Sequence, residues 1–251
     1  MSALIDNIRG KMESLPELWQ QVLDNLGFVL VCIGILVALS LLAKLAERYL
    51  MQSRKVSPAR RVSIIGICAA IATVLHILDF PLLFLAPEFY KLDFSELPVL
   101  LCGFYLGPSA AVACEGIKIL LKLLFKGTST AFVGDFANFF VGCCFVLPAT
   151  IWYHAHKSKY GAVLGLVLGT LVMTILGTAF NAVYLLPKFS QLFGLEMGAI
   201  IGMGAKVNPG VRNVATFVMF CVAPLNLVKG AMVSVLTMLL YKRVARPLFG
   251  K

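Results

Sequence analysis

Acidic residues are scarce in this sequence, 12 in 251, and charged residues of both signs make up only 14%. Soluble domains carry roughly a quarter charged residues, so the deficit excludes an ordinary water-soluble globule. Metal-site spacing is missing as well. No Cys-x-x-Cys pair occurs, and the seven cysteines (Cys32, Cys68, Cys102, Cys114, Cys143, Cys144, Cys221) all lie inside apolar runs, where they read as small packing residues. The three histidines are ungrouped; His154 and His156 fall in a basic loop and are expected to be solvated. No HExxH, GxSxG, Walker loop or aspartate-rich diphosphate motif is present, so the sequence assigns neither a catalytic residue nor a metal ligand. Alternation of period two is absent too, which argues against an outer-membrane barrel.

What the chain has is hydrophobicity: 60% apolar residues and a mean hydropathy of +0.91. Long apolar runs of about 20 residues imply an all-α integral membrane protein, since helices satisfy their own backbone in lipid. Seven spans are expected: Leu26–Ala46, Val62–Leu78, Leu97–Ala113, Cys114–Phe125, Phe132–Trp152, Ala162–Leu186 and about Asn213–Tyr241. The sequence "GPS" marks a bend between the third and fourth, and Pro224 is expected to kink the last span or to mark its start. The first span lies too far from Met1 to read as a cleaved signal and is expected to be retained.

The net charge of +10 sits at the ends of these runs, in "ERYLMQSRKVSPARR", "HAHKSKYG" and "YKRVARPLFGK". Basic residues placed so are cytoplasmic flanks facing anionic lipid, so the partner they imply is the bilayer and no nucleic acid is expected. The C-terminus is then cytoplasmic and the N-terminus extracellular. The loops around "DFPLLFLAPEFYKLDFSE" and "PKFSQLFGLEMGAIIGMGAKVNPGVR" fall outside, as lids or as segments resting on headgroups.

Polar residues inside the spans carry the functional signal. Asn226 and Lys229, in "APLNLVKG", share a helix face at i, i+3, with Gly230 allowing close approach of a ligand or a neighbouring backbone. Asn181 in "GTAFNAVYLLP" and Asp135 and Asn138 in "TAFVGDFANFF" lie at the same depth. Donors and acceptors in that number, without a nucleophile held by a base, point to a binding site for a polar, hydroxyl- or imide-bearing solute; the alternative for each Asn is an interhelical hydrogen bond. In "CEGIKILLKLLFKG", Lys118 and Glu115 are candidates for an internal ion pair, and Lys122 and Lys126 are expected to snorkel. Small residues in "GICAAIAT" form the pairs Gly66/Ala70 and Ala69/Thr73, a flat face for internal packing or for a partner subunit.

Four stretches together, "KLDFSELPVLLCGFYLGP", "GDFANFFVG", "NAVYLLP" and "APLNLVKG", make the chain resemble the substrate-binding S components of energy-coupling factor (ECF) vitamin transporters, and within them the riboflavin-specific type. The resemblance covers roughly residues 61–242. It implies a six-helix S-component bundle at 54–251, with residues 1–53 an N-terminal extension holding one extra transmembrane helix. It further implies riboflavin capture at the extracellular side of a bacterial cell membrane, a transmembrane coupling subunit and two cytoplasmic ATPase subunits as partners, and no enzymatic activity. No resident cofactor is implied, riboflavin being cargo. By motif, Asn181, Asn226 and Lys229 contact the flavin, with Asp135, Asn138 and the aromatic Tyr184 beside them; Ala69, Ala70 and Thr73 form the docking face. Phe84, Phe89 and Tyr90 are further candidates to cover the ring. The chain has Asp135 where the family commonly has Glu, and Ala182 where it has an aromatic residue. The alternatives are FMN or another vitamin in the same scaffold, or, in another class, a membrane enzyme or assembly factor.

Overall fold

The computed structural model describes residues 26–50, 56–128 and 132–249. The polar segment before Leu26, with Arg54 and Lys55 of the basic linker, lies outside the described residues. Contacts divide the chain into Met1–Leu39 and Ser40–Lys251, a division that falls inside the first helix.

Helix α1 (Leu26–Leu50) presents apolar side chains such as Leu30, Ile33, Leu36 and Leu41 to its surroundings. Its last turns belong to the second unit: Ala43 is buried, and Glu47 accepts from the Arg61 guanidinium at 3.2 Å and from Ser109 Oγ. Helix α2 (Pro58–Ile77) starts with Pro in its first turn and with the Ser57 hydroxyl accepting from Arg60 N–H, two standard ways of using the free donors of a helix start. A two-stranded hairpin follows, β1 (Phe80–Pro81) against β2 (Lys91–Leu92), with Phe80 opposite Leu92.

Helices α3 (Glu96–Leu106) and α4 (Pro108–Lys126) form an antiparallel pair that reverses at Gly107. Gly107 has φ 107°, a value open to glycine, and Pro108 pre-sets the next helix. The reversal therefore lies at the "GPS" bend, and the expected boundary at Ala113/Cys114 is corrected: α4 runs unbroken through both. At 11 residues α3 rises only about 16 Å. Among the described residues five helices are long and apolar enough to cross a membrane; α3 is too short to count, and α4 carries Glu115, Lys118, Lys122 and Lys126.

Helix α5 (Val133–Ala155) packs along α6 (Lys159–Phe180). The chain continues from α6 through a π-helical segment, Asn181–Leu185, into α7 (Leu186–Phe193), so this span does not end at Leu186. After α8 (Met197–Val207), helix α9 (Val214–Phe217), capped reciprocally by Asn213 and Thr216, runs through a second π-helical segment, Val218–Val222, into α10 (Ala223–Phe249). Both wide turns precede a proline, Pro187 and Pro224. A proline ring clashes with the carbonyl four residues back, here in Val183 and Phe220, and a widened turn relieves that clash without breaking the helix. Pro224 thus does not start the last span, which runs continuously from Val214 through the wide turn.

Helices α2 to α6 and α10 form the bundle, with Ala69, Val99, Cys102, Cys114, Phe145 and Met173 in its core. A second cluster, with Ala86, Leu186, Ile200, Phe217 and Cys221, joins the 78–95 loop to α8 and α9. The small-residue seam of α2 splits between two faces. Ala69 and Thr73 point inward, Thr73 Oγ1 donating to Ala69 O at 2.8 Å and to Lys118 O at 3.3 Å; Gly66 and Ala70 are exposed. Ala69 and Thr73 are therefore packing residues, and of the three expected docking residues only Ala70 is on the surface. His154 is buried rather than solvated, its Nε2 2.9 Å from Gly103 O.

Gly230 serves a neighbouring helix, not a ligand: a β-carbon there would lie 2.5 Å from Thr170 Cγ2 on α6. Gly230→Ala is expected to destabilise the fold by about 1–3 kcal/mol, whereas Gly66→Ala, in mid-helix with nothing within 4 Å, is expected to be neutral or to stabilise by up to about 1 kcal/mol. Thermal unfolding of the detergent-solubilised variants checks this, and equal shifts for the two would contradict the packing described.

Candidate ligand-binding site

The π-helical segments and the hairpin loop meet at one end of the bundle around a cavity of ≈ 230 Å³. His76 of α2, Lys122 and Lys126 of α4, Asp135 and Asn138 of α5, and Asn226 and Lys229 of α10 line it. Asn181 of the first π-helical segment and the loop residues Phe89, Tyr90, Lys91 and Asp93 complete the wall.

The floor is a chain of ion pairs. Lys229 Nζ, on a residue only 8% exposed, donates to Glu96 Oε1 at 3.0 Å and to Asp93 Oδ2 at 3.2 Å. Asp93 Oδ2 also lies 3.2 Å from His76 Nδ1, while its Oδ1 accepts Ser95 N–H at 2.8 Å. Burial pushes the Asp93 carboxyl up, but Lys229, with His76 and Lys118 beside it, more than cancels this and holds it well below the usual carboxylate range. Glu96 Oε1 is shared with Lys118 Nζ at 3.5 Å, and Lys118, fully buried, also donates to Ser95 Oγ at 2.9 Å and pairs with Glu115. Glu115 is fully buried as well. A charge at this depth persists only when it is paired, and here each lysine has two carboxylates.

Above the floor, Lys122 Nζ lies 2.5 Å from Asp135 Oδ1 and donates to Gly127 O at 3.1 Å. Lys122 is therefore tied into the wall and does not snorkel. At the rim, Asp79 accepts from both Lys126 (3.1 Å) and Lys91 (3.5 Å). Phe132, with a left-handed φ of 67°, turns the chain into α5 and brings Asp135, in the first turn, to the cavity. Such a conformation is uncommon for a bulky residue.

The two Asn amides are used differently. Asn181 Nδ2 donates to Gly177 O at 2.8 Å and its Oδ1 accepts from Tyr90 Oη at 2.7 Å, so one loop tyrosine is bonded to the cavity wall. Asn226 Nδ2 is buried and has no hydrogen-bond partner; Asp135 Oδ2 is the same. Among the buried side-chain atoms of its lining, Asn226 Nδ2 and Asp135 Oδ2 are without a partner, while each of its four lysines pairs with a carboxylate.

Of the residues expected at a site, Asn181, Asn226, Lys229, Asp135 and Asn138 converge here, and Tyr184 does not. Tyr184 stacks on Phe180, with centroids 5.4 Å apart, because the wide turn beginning at Asn181 rotates position i+3 off the face it would share on an ordinary helix. Phe89 and Tyr90 line the cavity; Phe84 is 78% exposed and does not. Sequence reasoning missed Asp93, Glu96 and His76 as parts of the site. The signal was available, since a buried lysine demands a carboxylate and "KLDFSE" holds two.

The model of the family "ECF transporter, substrate-specific component" matches residues 60–241. The riboflavin transporter RibU of Staphylococcus aureus (strain TCH60) is 35% identical over 186 residues, 74% of this chain and 90% of that protein. The riboflavin transporter FmnP of Bacillus subtilis (strain 168) is 31% identical over 183 residues, covering 72% of this chain and 90% of the relative. A solved S component of a bacterial ECF transporter superposes with a TM-score of 0.61 at 33% identity, covering 78% of this chain and all of that one.

Glu96→Gln removes the carboxylate shared by two buried ammonium groups, each of which keeps one other, and is expected to destabilise the fold by about 1.5–3 kcal/mol. Asp79→Asn, at the rim with partly exposed lysines, is expected to cost about 1 kcal/mol or less. Melting of the two variants in one detergent compares them, and a loss at Asp79 as large as that at Glu96 would contradict the floor's role.

Proposed function

The chain belongs to the substrate-specific components of ECF transporters, multi-pass membrane proteins that bind cargo and are not enzymes, and from that premise we propose that its cavity captures riboflavin. The observation that carries this reading is the pairing state of the lining. Every cavity lysine is already held by a carboxylate, and the buried lining atoms left without a partner are a neutral donor at Asn226 and an acceptor at Asp135. That set suits a neutral solute rich in hydroxyl and carbonyl groups more than an anion. Riboflavin has a planar apolar ring, an imide edge with one donor between two acceptors, and a ribityl chain of hydroxyls. Asn226 donates to a ring carbonyl, Asp135 accepts from a ribityl hydroxyl, and Asn181 and Asn138 supply further amide groups. Lys229, fixed between Asp93 and Glu96, has a third proton to offer an oxygen. Phe89 and Tyr90 cover the ring.

A free volume of ≈ 230 Å³ is below the range of ≈ 300–1,000 Å³ usual for small-molecule sites. Entry of a tricyclic ring therefore requires the 78–95 loop to shift and the Tyr90–Asn181 bond to open. Arg60, Arg61, Lys157 and Lys159 lie at the end of the bundle away from the cavity, which supports a cytoplasmic placement for that end and an extracellular one for the cavity. The C-terminus is then cytoplasmic and the N-terminus extracellular. A transmembrane coupling subunit and two cytoplasmic ATPase subunits complete the transporter, with the exposed Gly66–Ala70 face of α2 meeting the coupling subunit. No resident cofactor takes part.

Quenching of riboflavin fluorescence by the purified protein tests the site. Wild type is expected to saturate at one flavin per chain, and Asn226→Ala and Lys229→Met each to weaken binding at least about tenfold, about 1.4 kcal/mol. Undiminished affinity in variants that elute as folded protein would make these residues helix glue and move the site elsewhere.

A further inference from the structure

We infer that Asp135 makes the cavity select a hydroxyl-ended flavin over its phosphate ester, an inference that rests on the flavin reading above. Asp135 sits in the first turn of α5, where free amides and the helix dipole favour negative charge, and its Oδ1 is 2.5 Å from Lys122 Nζ. An ammonium beside a helix N-terminus is what a phosphate group seeks. In this chain the protein's own carboxylate occupies that place.

The second oxygen decides the outcome. Asp135 is 3% exposed, it lines the cavity, and its Oδ2 is buried with no hydrogen-bond partner. A ligand hydroxyl donates to that oxygen and satisfies it. A phosphate near neutral pH carries nearly two negative charges and almost only acceptors, so it meets Oδ2 with like charge and no proton to share. At the rim Lys91 and Lys126 share one carboxylate, Asp79, which halves the charge they offer a phosphate, and solvent screens the remainder. Replacing Asp135 by Asn keeps its shape, removes the repelling charge and releases Lys122 toward the ligand. One substitution thereby weakens the contact to a hydroxyl and opens a cation to a phosphate.

Riboflavin and FMN titrated separately into the purified full chain, with flavin fluorescence as the readout, test this for wild type, Asp135→Asn and Asp135→Glu. Wild type is expected to favour riboflavin at least tenfold, Asp135→Asn to shrink that preference at least tenfold, and Asp135→Glu to keep it. Equal affinities in wild type, or a change by the same factor for both flavins in Asp135→Asn, would overturn the assignment while leaving the flavin reading in place. Silence from wild type toward both flavins would remove that reading and this inference together. Should Asp135→Asn fail to fold, the wild-type ratio and Asp135→Glu still decide: loss of the preference in Asp135→Glu contradicts a role for the charge.

Discussion

The ammonium of Lys229, buried between Asp93 and Glu96, is the interaction on which the rest of the structure depends. Charge inside a membrane bundle is tolerated when it is paired within the protein, and the pairing constrains geometry because both partners must arrive at one point. Asp93 and Glu96 flank the start of α3, so Lys229 fixes α10 to the beginning of that helix and to the loop before it. Glu96 passes the constraint to Lys118 and Glu115 on α4, and His76 brings in α2. Four helices and a loop are held at one level, directly beneath the cavity. This explains why α4 carries Glu115 and Lys118 at full burial: both belong to a polar knot inside the bundle.

Two prolines do complementary work on the other side of the cavity. Pro187 and Pro224 each follow a π-helical segment, and the widened turns sit where the chain delivers Asn181 and Asn226. A wide turn changes which residues share a face, which is how Asn181 comes to the cavity while Tyr184 leaves it. The floor is thereby ionic, the side walls carry amides, and the loop above brings aromatic rings, with Tyr90 hydrogen-bonded to Asn181. Such a division suits a solute with an apolar ring and polar edges: orientation is set below, and access is controlled above.

Much of this was legible in the sequence. Hydrophobic runs identified a helical membrane protein, and the spacing of Asn226 and Lys229 placed both on one face. Asp135, Asn138 and Asn181 were found from their depth in different spans. Other features stayed hidden for definite reasons. Glu96 and Asp93 stand next to an apolar run and read as a loop end, since their partner lies 133 or 136 residues away. Lys122 shares a stripe with Lys126, and only the fold decides that one faces Asp135 and the other Asp79. The splitting of the α2 seam follows from which side α4 packs on, and side-chain size alone does not carry that information. Tyr184 was expected beside the flavin from its motif alone, and a motif does not show that the segment is a wide turn in which this ring stacks on Phe180.

A structure of the protein with riboflavin bound tests the central claim most directly, namely that the cavity's charges are committed to one another and that Asn226 and Asp135 hold the open positions. The account predicts Lys229 still paired with Asp93 and Glu96, a ring carbonyl within hydrogen-bond reach of Asn226 Nδ2, and a ribityl hydroxyl on Asp135 Oδ2. A flavin seated elsewhere, or one that leaves Asn226 and Asp135 unpartnered while drawing Lys229 away from its carboxylates, would contradict it.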